Sequence, residues 1–280
     1  MSTMSRTLSP LMLLALLPLA AAATTIEIAK GVFMPRVNAG QPDDGHHRNE
    51  TAAALAWFKA GGRGIDTALS YHNQDQVAAA IKASGLPRES IFITTKIPCG
   101  DGTKQGATKS IKEDLSELEL SFADLILIHF PCDSHEGTKN VWSALQAAEA
   151  AGLARAIGVS NFAKADIDAA LSLGGTKPAL NQCQMSVGSH DDATIAYCKS
   201  NNITYESYSP LRRVDLTDRR ITSIAASHNV TAAQTALKWI YQQDVVIATS
   251  PGTNPTYAEE DLALASFTLT EEEMHTLAGM

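Results

Sequence analysis

Residues 123–161, "ADLILIHFPCDSHEGTKNVWSALQAAEAAGLARAIGVSN", decide the fold. An apolar run, "ADLILIHF" (123–130), comes before an Ala/Leu-rich segment of helical period, "NVWSALQAAEAAG" (140–152). A second strand-like run, "ARAIGVSN" (154–161), follows at once. A strand, a helix and a strand at this spacing make a βαβ unit, and its two strands run parallel.

The same beat fills the chain from about residue 50 onward. Strand-like runs recur at "GGRGID" (61–66), "IFITTK" (91–96), "PALNQCQ" (178–184), "ITYESYSP" (203–210) and "DVVIATSP" (244–251). Helical patterns fill the intervals, among them "ETAAALAWFKAG" (50–61), "DQVAAAIKASG" (75–85), "TKSIKEDLSELEL" (108–120) and "VTAAQTALKWIYQQ" (230–243). Asp75 is expected to open the second of these helices, Gly85 to close it, and Thr231 to cap the last. With a first strand inside "VFMPRVNAG" (32–40) the count is eight, which predicts an α/β fold of the (β/α)8 TIM-barrel type, one domain over residues 24–280. A doubly wound open sheet is the alternative, but it would bring a G-x-G-x-x-G loop that this chain lacks. The stretch "TTIEIAKGVFMP" (24–35) alternates around a Lys-Gly turn and predicts a β-hairpin that plugs the barrel's N-terminal end. Trp57, Trp142 and Trp239 lie in helical segments and are expected in the core.

A net charge of −8 leaves no cationic face for a nucleic-acid partner. Residues 1–23 carry Arg6, then a Leu/Ala block from Leu11 to Ala23 that is too short to span a membrane, then small residues suited to cleavage. This reads as a signal peptide or N-terminal anchor and points to the secretory pathway; a frayed Ala-rich terminus is the alternative. Sequons at Asn49, Asn202 and Asn229 are compatible with export. Cys99, Cys132, Cys183 and Cys198 show no metal-type spacing and are expected as free thiols. A Cys99–Cys132 disulfide is conceivable if the chain is exported, since each lies three residues past a strand end on adjacent strands.

Barrels of this type present their reacting groups where strands end at the C-terminal face. Those ends carry Asp66, with Tyr71 in the loop after it, then Lys96, His129, Ser160 and Asn161, Asn181 and Gln182, and Tyr208. A protonated phenol can donate to an oxygen that is becoming an alkoxide. A nearby ammonium favours the phenolate left behind, and a paired carboxylate fixes that ammonium. An imidazole can orient a carbonyl. The set suits a general acid for carbonyl reduction.

In order along the chain, "GIDTALSYHNQ" (64–74), "IFITTKIP" (91–98), "DLILIHFP" (124–131), "AIGVSNF" (156–162), "LNQCQ" (180–184) and "YESYSPL" (205–211) resemble the successive signatures of the aldo-keto reductase superfamily. The resemblance implies NADPH-dependent reduction of aldehydes or ketones by a monomer that is cytoplasmic by family default. It implies Tyr71 as proton donor, Asp66 and Lys96 as the pair tuning it, and His129 as the group orienting the substrate. It further implies cofactor contacts at Ser160, Asn161, Gln182, Tyr208, Ser209, Leu211, Thr253 and Asp261, with no metal. A non-catalytic nicotinamide-nucleotide-binding module on the same barrel is the rival reading.

Three departures stand out. In "MPRVNAGQPDDG" (34–45), Asn38 stands where the family's first Gly is usual and Gln41 where Thr is usual. In "CQMSVGSH" (183–190), Ser186 and Val187 replace the usual His-Pro, so no role is carried onto that loop. In "SPGTNPTYAEEDL" (250–262), Gly252 and Tyr257 occupy places where tight 2′-phosphate binders have cations. NADPH stays the default cofactor and NADH use stays open. Short segments at 131–140 and 211–220 predict an open site for several small carbonyl substrates.

Overall fold

A computed structural model describes residues 24–41 and 49–280. The leader expected at 1–23 lies outside the described residues, as does the stretch 42–48. The expected hairpin is formed by β1 (Thr25–Ala29) and β2 (Val32–Pro35), which pair antiparallel around Gly31. Eight strands then close a barrel: β3 (Val37–Gly40), β4 (Gly64–Asp66), β5 (Phe92–Ile97), β6 (Ala123–Ile128), β7 (Ala154–Ser160), β8 (Leu180–Gln184), β9 (Thr204–Tyr208) and β10 (Val246–Thr249). Each strand is parallel to both neighbours, and β10 pairs with β3 to close the ring.

Period-two alternation sorts the strand side chains into two cores. On β6, Ile126 and Ile128 point out to the helices and join Trp57, Trp142 and Trp239. Leu125 and Leu127 point in and meet Phe92, Leu180 and Val246, together with Ile28, Val32 and Met34 of the hairpin. The hairpin therefore caps the N-terminal end of the barrel with apolar side chains, each contributing about 1.5–3 kcal/mol by burial. Inward positions nearer the C-terminal face are polar instead: Asn38, Asp66, Thr94, Lys96, Ser160, Gln182 and Glu206 are all buried. The interior is thus dry at one end and chemically equipped at the other.

Among the described residues ten helices surround the barrel. In chain order they are α1 (Glu50–Ala60), α2 (Gln74–Ser84), α3 (Lys104–Glu117), α4 (His135–Ala150), α5 (Lys164–Leu171), α6 (Asp192–Ser200), α7 (Arg219–His228), α8 (Ala232–Tyr241), α9 (Pro255–Leu262) and α10 (Glu271–Ala278). Thr231 caps α8 in a reciprocal box with Gln234, and Gly85 ends α2 in the left-handed conformation, both as expected. Asp75 lies one residue inside α2, whose cap position is Asn73. Segment 131–140 is less of a loop than expected: Ser134 accepts from the Gly137 amide and starts α4 at His135. Gly137 there interrupts the apolar period that marks the rest of the helix. No described helix is long and apolar enough to cross a membrane.

The cysteine expectation needs correcting, because Cys99 and Cys132 form a disulfide with Cα atoms 5.4 Å apart. β5 and β6 run in register, with Lys96 opposite Leu127 and Ile97 opposite Ile128, so the chains leaving them stay adjacent at the rim. Cys183 and Cys198 remain free, and burial raises both thiols, Cys183 to about 11.

Candidate active site

The end of β4 and the turn after it set the geometry. Asp66 is the last residue of β4 and points into the barrel, while a 3-10 turn over Leu69–Tyr71 swings the phenol back over the mouth. Thr67 Oγ1 donates to Asn73 Oδ1 at 2.7 Å, and Asn73 Nδ2 donates to the Gln41 carbonyl at 3.1 Å, which ties down both ends of this turn. From β5, Lys96 reaches the same point. Its Nζ donates to Asp66 Oδ1 at 2.6 Å, to the Thr67 carbonyl at 3.0 Å and to the Tyr71 hydroxyl at 3.4 Å. Three donors meet three acceptors, so the ammonium is satisfied in a place water does not reach. Burial alone would lower its pKa, but Asp66, then Tyr71 and more weakly Glu206 outweigh burial and raise it. Lys96 is therefore a fixed positive charge beside the phenol.

His129 follows β6 directly. Its ring meets Tyr71 edge-on with centroids 5.4 Å apart and stacks on Phe130 at 4.8 Å. Burial, then the nearby Lys96, pushes it down to about 4, so the imidazole is neutral at physiological pH. Ser70 Oγ lies 3.2 Å from Nδ1. If that hydroxyl donates, Nε2 carries the ring proton and is free to donate in turn.

The residues expected to contact the cofactor fall into two groups. Ser160, Asn161, Gln182 and Tyr208 come together: Tyr208 OH donates to Asn161 Oδ1 at 2.9 Å, Asn161 Nδ2 donates to Ser160 Oγ at 3.0 Å, and Ser160 Oγ donates to the Gln182 carbonyl at 2.8 Å. Asn161 and Ser209 both sit at positive φ, which turns the chain sharply at the ends of β7 and β9. A cavity of about 400 Å³ lies here, lined by Gln41, Asp66, Tyr71, Gln182, Tyr208 and Ser209 among others. The remaining three are set apart. Leu211 packs against the outer core, Thr253 is exposed on the loop before α9, and Asp261 is buried with its Oδ2 accepting from Thr249 Oγ1 at 2.8 Å. Asn181 points the other way from Gln182, into the helix layer, where it brackets the Phe162 backbone. Ser186 and Val187 are wholly buried and do not face the cavity.

A nicotinamide head fits this donor set. It is a flat ring with a carboxamide, and the mouth offers a half-buried aromatic ring, a hydroxyl and two side-chain amides. Gln41 Oε1 adds a buried acceptor with no partner among the described residues.

Sequence reading missed Glu206, Ser70 and the pair of Asn38 with Gly64. Glu206 is wholly buried inside the barrel two residues before Tyr208, on the same face of β9. That spacing was the signal: if Tyr208 points inward, so does the acid at i−2. Asn38 projects inward from β3, and Gly64 on β4 makes room for it. A Cβ at Gly64 would lie 1.7 Å from Asn38 Oδ1, so the two positions exchange bulk.

The Aldo/keto reductase family profile matches residues 38–280. An aldo-keto reductase of Mycolicibacterium smegmatis is 36% identical over 264 residues, spanning 93% of this chain and 92% of its own. The glyoxal reductase of Bacillus subtilis is 34% identical, spanning 91% of this chain and 92% of its own. The crystal structure of a Bombyx mori aldo-keto reductase in complex with NADP superposes with a TM-score of 0.84 at 26% identity, over 91% of this chain and 92% of that one. With the family profile matched over residues 38–280 and a relative 36% identical over 93% of its length, the chain belongs to the aldo-keto reductase family.

Proposed function

We propose that the protein reduces small aldehydes or ketones to alcohols with NADPH, and that Tyr71 is the proton donor. The observation that carries this reading is the placement of Lys96 Nζ between Asp66, at 2.6 Å, and the Tyr71 hydroxyl, at 3.4 Å, on the wall of the mouth cavity. Ser160, Asn161 and Gln182 would hold the carboxamide, and the Tyr208 ring would cover the nicotinamide face. When bound, the reduced nicotinamide supplies the hydride. The Tyr71 O–H gives its proton to the carbonyl oxygen as that oxygen becomes an alkoxide. Lys96 then stabilises the phenolate, and Asp66 keeps Lys96 charged and in place. Neutral His129 orients the carbonyl by donating from Nε2. Tyr71 recovers its proton from solvent, which the half-buried phenol reaches.

Glyoxal reductase among the relatives supports small carbonyl compounds as substrates, and the NADP complex of a structural neighbour supports NADPH. Gly252 and Tyr257 leave the 2′-phosphate without its usual cations, so NADH is the comparison that matters. The Cys99–Cys132 disulfide favours an oxidising compartment, in keeping with the apolar leader. The purified chain is tested with glyoxal, an aromatic aldehyde and a ketoacid, following loss of NADPH or NADH absorbance. Turnover with NADPH is expected. Cofactor binding without turnover of any carbonyl would favour the binding-module reading.

A further inference from the structure

Below the Asp66–Lys96 pair lies a third ionisable side chain that the proposed reduction does not use. Glu206 projects from β9 into the barrel and has no exposed surface. Its Oε2 is 2.8 Å from Gln182 Nε2, and its Oε1 is 3.3 Å from Asn38 Nδ2. The same Gln182 nitrogen is 2.8 Å from Asp66 Oδ2. An amide nitrogen carries two hydrogens, so one goes to each carboxyl group and neither is left for a ligand. The carbonyl oxygen Oε1 of Gln182 is what remains for the cavity that this residue lines.

We propose that Glu206 is a positioning residue, which fixes the Gln182 amide so that its Oε1 meets the nicotinamide carboxamide while its Nε2 braces Asp66. The inference rests on the reading of the mouth as a nicotinamide site. Amide flips are the freedom that such a site must suppress, since a turned Gln182 would present donors to a donor. Asp66 alone could not prevent this, because one hydrogen bond leaves rotation about it; two acceptors on opposite sides do. Asn38, bonded to the Pro35 carbonyl at 3.1 Å, holds Glu206 from β3, and Gly64 opens the space that Asn38 fills. The eroded first-strand motif is thus part of the bracing.

Charge sets a second consequence. Asp66 from β4 and Lys96 from β5 are the charged groups facing Glu206; Gln182 from β8 and Asn38 from β3 are neutral, and Val246 on β10 opposite it is apolar. Burial, then repulsion from Asp66, pushes Glu206 up to about 8. At neutral pH it holds its proton and leaves Lys96 to Asp66. Once ionised, it offsets the positive potential that Lys96 applies to Tyr71 and turnover falls, while Gln182 keeps its acceptor and cofactor affinity holds.

The test uses the full chain. In wild type, kcat is expected to fall about tenfold from pH 7 to pH 9 while the Kd for NADPH, from fluorescence titration, changes by less than about twofold. Glu206→Gln cannot ionise and loses this alkaline limb, whatever its rate at pH 7. Glu206→Leu frees the Gln182 amide and weakens NADPH by about tenfold, whereas a role in stability alone would leave the folded variant's Kd unchanged. Infrared titration of wild type is independent of any variant's folding: a protonated-carboxyl band disappearing near pH 8 is expected. Absence of that band at pH 7, an unaltered Kd in Glu206→Leu, or a wild-type alkaline limb in Glu206→Gln would each overturn the proposal. Should no carbonyl be turned over, the reaction reading fails on its own, and the Kd and infrared results still decide the role of Glu206.

Discussion

Replacing Lys96 by Met removes the cation paired with Asp66 in the barrel interior, at nearly constant side-chain length. The side chains are 1% and 5% exposed, and the pair is 2.6 Å apart, so the loss of the ammonium leaves a largely desolvated carboxylate. After the change Asp66 retains Gln182 Nε2 at 2.8 Å as a donor, and the Thr67 carbonyl loses the Lys96 hydrogen bond. Breaking a buried ion pair from one side typically costs about 3–5 kcal/mol, because the remaining charge is desolvated and unpaired. For a chain of this size that lowers the thermal midpoint by on the order of 10 °C. Adding Asp66→Asn removes the stranded charge. The double variant is therefore expected to recover much of the stability, about 2 kcal/mol or more relative to the single one. Urea unfolding at pH 7 of wild type, Lys96→Met and the double variant measures this. Lys96→Met within about 0.5 kcal/mol of wild type, or a double variant less stable than the single one, would refute the reasoning.

The Cys99–Cys132 disulfide closes a loop of 33 residues, which on a chain-entropy basis contributes about 3–4 kcal/mol. Thiol counting on the unfolded, non-reduced chain is expected to find Cys183 and Cys198 alone, and a reductant is expected to lower the unfolding midpoint; four titratable thiols would contradict the pairing. His129, held down to about 4, takes its proton in the unfolded chain before it does in the folded one. Its contribution is fully present above pH 6.5 and is lost as pH falls from there towards about 4, about 2 kcal/mol of it between pH 7 and pH 5. His129→Gln removes that difference from the urea midpoints; an unchanged pH dependence in the variant would show that the ring is not held neutral.

The barrel was legible because its signal is local and repeated. Each strand-like run, such as "ADLILIHF", carries its own period, and the alternation of runs sets the topology before any distance is known. Asp66, Lys96 and His129 were legible for the same reason, since a strand end is a place in the sequence as well as in space. The helices α9 and α10 were not read, because their apolar residues are few and spread among Thr, Glu and Asp; α7 was not read either, although Ile221, Ile224 and Ala225 carry the helical spacing, because the stretch 211–220 before it was taken as loop. Glu206 hid in "ITYESYSP", where a single acid between aromatics looks like an exposed edge until the inward face of β9 is fixed. The disulfide depended on the register of β5 against β6, a relation between distant segments that spacing alone cannot give. The fit of Asn38 against Gly64 is of the same kind: Asn38 looks like an erosion of the first-strand motif, and only the contact between β3 and β4 joins it to Gly64.

In the proposed reduction Tyr71 gives the proton while the rest of the mouth holds cofactor and substrate. Tyr71→Phe deletes one oxygen, 3.4 Å from Lys96 Nζ, and leaves the ring that packs against His129. The direct measurement is the variant's rate of NADPH oxidation with the best aldehyde, taken alongside its Kd for NADPH. A rate reduced by at least about a hundredfold with Kd within about twofold of wild type is expected. Wild-type turnover in Tyr71→Phe would contradict the account.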